Sequence, residues 1–109
     1  MIPLYAIKHV PSGKFLPEPT GRSRRGGSHV GPEDPNEHPP RFFTKESTAK
    51  IVLSHWLRGI VVAERGTYGS PDYEPYEDIR TIPVPTRKRE EMQIVKFNLI
   101  EEVSNDHSP

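Results

Sequence analysis

Arg22, Arg24 and Arg25 stand within a glycine-rich stretch, residues 20–28, with Lys14 a short way upstream. A guanidinium fork matches phosphate or carboxylate oxygens in pairs. Neighbouring glycines let a backbone approach a ligand closely. The combination suits an anionic partner, either an acidic protein face or nucleic acid; the alternative is a solvated loop. Gly21 and Gly26 have the spacing that opens a phosphate-binding loop, but Gly27-Ser28 stands where Lys-Ser/Thr is required, and no strand–loop–helix setting surrounds it. A second group is aromatic. Tyr68, Tyr73 and Tyr76 lie among Asp72, Glu74, Glu77 and Asp78. Tyrosine supplies contact area at low entropic cost and is common at interfaces; equally, these rings can fold over a sheet edge.

The remaining polar groups read as structural. His29 and His38 flank Glu33, Asp34 and Glu37, but Pro32 and Pro35 interrupt them and no fixed ligand spacing holds. His9 and Ser12 flank a turn, and no nucleophile-elbow sequence surrounds the serine. No metal, cofactor or catalytic residue is expected. Arg87, Lys88 and Arg89 form a second basic cluster that would join the first if nucleic acid were the partner.

These groups need elements to hold them. Residues 4–10 alternate, with Tyr5, Ile7 and His9 on one side and Leu4, Ala6 and Lys8 on the other, which predicts a strand. Pro11-Ser12-Gly13-Lys14 is a turn, and Phe15-Leu16 begins a short return strand. Residues 18–40 hold prolines and glycines without periodicity and read as a long loop, of the sort that is functional or disordered.

From 45 to 58 there is neither Gly nor Pro. Ala49, Val52, Leu53, Trp56 and Leu57 recur at helical spacing, with Thr44 as N-cap and Gly59 as the stop. Ile51 falls on the outward face. Strands are expected at 60–63, at 79–84 on a sheet edge, and at 93–103, with an irregular stretch at 67–78. The predicted fold is α+β: one helix on one face of a small, mainly antiparallel sheet, with long Pro/Gly-rich loops. Trp56 and Leu53 are expected to pack on Ile7, Phe97 and Val62. Residues 1–103 make a single domain, and 104–109 a polar tail.

The bulk properties set limits. The chain has 109 residues, room for one modest core. Leu, Ile, Val and Phe make up about 23% of it, just above the roughly 20% floor of disordered chains. Mean hydropathy is −0.72. With 15 basic and 15 acidic residues there is no global pull toward nucleic acid or membrane. Cysteine is absent, which excludes disulfides, thiol nucleophiles and zinc thiolates. No apolar run is long enough to span a bilayer, and residues 1–5 do not resemble a signal peptide. A cytoplasmic location is expected.

The opening Tyr5-Ala6-Ile7-Lys8-His9-Val10-Pro11-Ser12-Gly13-Lys14-Phe15-Leu16-Pro17 resembles that of small bacteriophage accessory proteins. The segments Gly26-Gly27-Ser28-His29, Pro40-Arg41-Phe42-Phe43, Ala49 with Leu53, Trp56-Leu57 and Gly59, and Met92-Gln93-Ile94-Val95-Lys96-Phe97 continue the likeness. The resemblance implies a phage gene product in the host cytoplasm, with no activity or cofactor attached. Two readings follow. The first is a non-enzymatic module that binds a host or phage protein through Arg22, Arg24, Arg25, Tyr68, Tyr73 and Tyr76, modulating a host factor or host defence. The alternative is a small nucleic-acid binder using the Gly/Arg-rich loop.

Overall fold

Alternation in the N-terminal segment and β-branching in the C-terminal one build most of the sheet. The computed structural model describes residues 2–19, 26–67 and 75–102. Along the chain come β1 (Ile2–His9), β2 (Lys14–Phe15), α1 (Glu46–Arg58), β3 (Ile60–Thr67), β4 (Pro75–Ile82) and β5 (Met92–Leu99). One-turn 3-10 helices stand at Gly26–Ser28 and Arg89–Glu91. The fold is α+β, with one helix and antiparallel strands. The strands form two sheets, ordered β2-β1-β5 and β3-β4. Gly13 turns β1 into β2 at φ 71, a conformation glycine adopts without a Cβ clash.

The helix begins one residue later than its N-cap signal predicts. Lys45, not Thr44, is the N-cap, and no side chain caps the first turn. Glu46 instead places a carboxylate at the positive end of the helix dipole and pairs with Lys50 at 3.5 Å. Ala49, Leu53 and Trp56 are buried against Ile7, Leu16 and Phe43, while Tyr5, Val52, Leu57, Met92 and Ile94 close the margins. Ile51 is exposed, as its place on the helix requires.

Two expected core partners of the helix lie elsewhere. The register sets Ile7 opposite Ile94 and Leu4 opposite Phe97. Successive strand residues alternate faces. Ile94 therefore shares the helix side with Ile7, and Phe97 shares the opposite face with Leu4. Val62 belongs to β3, in the separate two-stranded sheet, and is not part of the buried cluster.

Strands β3 and β4 extend further into the region read as irregular. Pairing starts at Ile60 opposite Ile82 and continues to Thr67 opposite Pro75. The outer half of this hairpin has no apolar alternation to announce it. Backbone pairing alone carries the ladder through it. β5 ends at Leu99, short of the expected 103. The described part of the first long loop is pinned to the sheet. Phe15 and Glu33 exchange backbone bonds of 3.1 and 2.9 Å, and Arg41 N–H donates to the Leu16 carbonyl at 3.0 Å. Among the described residues, no helix is long and apolar enough to cross a membrane.

Candidate functional site

The turn after β1 carries the densest polar arrangement. His9 Nδ1 lies 2.6 Å from Ser12 Oγ, and His9 Nε2 lies 2.9 Å from Glu91 Oε2. With a neutral ring, the consistent tautomer has Nε2–H donating to the carboxylate and Nδ1 accepting from the serine hydroxyl. This is the connectivity of a serine–histidine–carboxylate chain. An acyl-transfer centre also needs free amides aimed at a developing oxyanion. Here Gly13 N–H donates to the His9 carbonyl at 2.9 Å, and Lys14 N–H donates to Ser12 Oγ at 3.3 Å. Both amides after the serine are occupied by the turn. The arrangement ties the turn to the start of β5, where Val10 N–H also donates to the Glu91 carbonyl at 2.8 Å.

His9→Ala is accordingly expected to lower unfolding stability by roughly 1 kcal/mol, the net worth of partly exposed hydrogen bonds. Urea denaturation checks this; a loss above about 3 kcal/mol would give the ring a core role instead. Glu91 was invisible as a partner in the sequence. It stands 82 residues from His9, and only the β1–β5 register, His9 opposite Met92, brings them together.

Beside this turn lies a cleft of about 460 Å³. One wall is Trp56 with Arg87 stacked on it, the guanidinium carbon 4.2 Å from the ring centroid. Arg87 Nη1 donates to the Trp56 carbonyl and Nη2 to the Ser28 carbonyl, both at 2.8 Å. Burial lowers the Arg87 pKa from its ordinary value, and the guanidinium remains a cation at neutral pH. Trp56 Nε1–H in turn donates to the Val30 carbonyl at 2.7 Å. Lys14, Lys88 and Thr86 line the cleft with His9 and Ser12; Pro32, Val84 and Met92 supply its apolar surface.

The outer face of the three-stranded sheet has the opposite character. Leu4, Val95, Phe97 and Leu99 project from it beside Phe15 and Phe42. Phe97 packs edge-on against Phe42 at 5.8 Å and tilted against Phe15 at 6.0 Å. No described element covers this side. Phe97 is 39% exposed, Phe42 46% and Leu99 54%.

Of the residues singled out from sequence, Arg22, Arg24, Arg25, Tyr68 and Tyr73 lie outside the described residues. Tyr76 is described only by its backbone, opposite Gly66 in the hairpin. The second basic cluster is divided: Arg87 and Lys88 line the cleft, and Arg89 turns to the helix. Arg87 is held by two carbonyls, Lys88 reaches Glu91 at 4.0 Å, and Arg89 meets Ser54 on the helix at 3.4 Å. The structural reading of the loop histidine fits its surroundings: His29 Nε2–H donates to the Val61 carbonyl at 2.8 Å, and Asp34 closes its own turn on Asn36 N–H at 2.9 Å. Among the described residues, no three His, Asp or Glu side chains gather as metal ligands. The sequence did not mark the outer sheet face as a site, although the alternation of Val95, Phe97 and Leu99 was its signal. No protein family, curated protein or solved structure was found to match this chain.

Proposed function

We propose that the protein is a non-enzymatic binding module that docks another protein on the outer face of its three-stranded sheet. The observation behind this reading is the run of exposed apolar side chains Phe42, Phe97 and Leu99 on a face that no described element covers. Two eight-residue strands present a surface roughly 26 Å long and about 10 Å wide, broadened at one end by the two-residue β2. Contiguous apolar patches of a few hundred Å² are often interaction sites. Lys8, its ammonium 5.8 Å from the Phe15 ring, sits at one end of the face and suits a partner whose apolar surface has an acidic rim. The edge of β5, unpaired among the described residues, is placed to extend the contact by strand addition. With the resemblance to bacteriophage accessory proteins, the proposed partner is a host protein in the cytoplasm, a host factor or a component of host defence.

The test pairs affinity capture from host lysate with Phe97→Asp and Leu99→Lys. Both positions are half-open, so helix content and melting temperature should stay close to the parent. A discrete partner retained by the parent and lost by both variants is the expected result. Recovery of the same proteins by parent and variants would overturn the reading. So would recovery of nucleic acid alone, or a parent homodimer that Phe97→Asp dissociates.

A further inference from the structure

The cleft beside the His9 turn is distinct from the sheet face and calls for a different ligand. The whole chain is neutral, with 15 basic and 15 acidic residues. Yet Lys14, Arg87 and Lys88 line this one cleft, and among the described residues no carboxylate does. Glu91, which bonds the lining residue His9 at 2.9 Å, also faces Lys88 at 4.0 Å. Lys14 has no ion-pair partner among the described residues. Arg87 commits two of its five N–H donors to carbonyls, which fixes the guanidinium on the wall as a positive charge.

We propose that this cleft binds a small organic phosphate monoester. The phosphate sits between the Lys14 and Lys88 ammonium groups and accepts from the Thr86 hydroxyl. The organic group lies on Val84 and Met92. Two ammonium groups and a hydroxyl, beside the Arg87 cation, carry more positive charge than a single carboxylate neutralises. A phosphate monoester carries close to two negative charges at neutral pH and three acceptor oxygens, which matches them. The volume of about 460 Å³ falls within the range of roughly 300–1,000 Å³ typical of small-ligand sites.

Trp56, the sole tryptophan of the chain, lines the cleft, so its fluorescence reports occupancy directly. The probe is phenyl phosphate, titrated into the intact protein at constant ionic strength. A saturable change in fluorescence is expected. Lys14→Gln and Lys88→Gln, both at exposed positions, should each weaken the dissociation constant about tenfold. Phe97→Asp should leave it unchanged, which separates this site from the sheet face. No saturable change at millimolar probe would overturn the proposal, as would equal affinity in the Lys14→Gln/Lys88→Gln double variant. Inorganic phosphate binding as tightly as phenyl phosphate would overturn the role given to Val84 and Met92. A phosphotyrosine peptide binding ten times more tightly than phenyl phosphate would overturn the assignment to a small molecule.

Discussion

Gly59→Ala is expected to destabilise the protein by about 3–4 kcal/mol, more than an ordinary helix-end substitution. Gly59 ends α1 at φ 127 and ψ −165, a region of backbone space that is essentially glycine's alone and costs other residues about 1–3 kcal/mol. Its surroundings add to this. A Cβ built there runs into the Ile82 carbonyl oxygen, comes within 2.6 Å of the Ile82 carbonyl carbon and lies 2.9 Å from Pro83 Cα. These are backbone atoms, which cannot rotate aside as a flexible side chain would. Relief requires the end of β4 to move away from the helix–strand junction. For a domain of this size each kcal/mol shifts the melting temperature by roughly 4–8 °C, so the fall should exceed about 12 °C. Gly31→Ala is the control, because nothing stands within 4 Å of its added Cβ and its φ is not positive. A loss below about 1 kcal/mol for Gly59→Ala would mean that the junction does not sit on Ile82 and Pro83 in solution.

Trp56→Ala is expected to cost about 4 kcal/mol, within the range for truncating a buried aromatic. The side chain joins three parts of the molecule. Its ring packs in the cluster with Ile7 and Leu53, its Nε1–H holds the Val30 carbonyl at 2.7 Å, and its face carries Arg87. Truncation opens a cavity in a cluster of six buried apolar residues among those described, and it leaves the Val30 carbonyl without its donor. Against a total stability of roughly 5–15 kcal/mol, such a loss removes between about a quarter and four-fifths of it. Far-UV circular dichroism during urea denaturation measures it, since the fluorophore is removed. Trp56→Phe keeps a ring for Arg87 and loses the indole donor, so it should cost only about 1–2 kcal/mol. Equal losses for Ala and Phe would assign the stabilisation to the Val30 bond instead of the ring.

The helix was the most legible element. Ala49, Leu53 and Trp56 obey a 3.6-residue period over thirteen residues ended by Gly59, and that pattern has one good solution. Strand β1 was readable for the corresponding reason, a clean period of two. The start of the helix was less so, because Thr44 and Lys45 both precede it and a cap depends on side-chain geometry that composition does not carry. The outer halves of β3 and β4 were missed because polar residues can pair by backbone alone. The Tyr68–Tyr76 and Arg22–Arg25 candidates were drawn from residue type and spacing. The two surfaces that carry the functional proposals are instead assembled from residues far apart in the chain.

By itself the amino-acid sequence determined which residues form the helix, which face of it is buried, and that the protein is a small α+β domain with a spare core. Those properties follow from local periodicity and local backbone preference. Tertiary structure decided the side of the sheet on which Phe97 lies, the meeting of His9 with Glu91, and the gathering of Lys14, Arg87 and Lys88 around one cleft. Each of these depends on strand register. A shift of one residue would reverse the face of every β5 side chain, and no local pattern in either strand states which residue of β1 lies opposite which residue of β5.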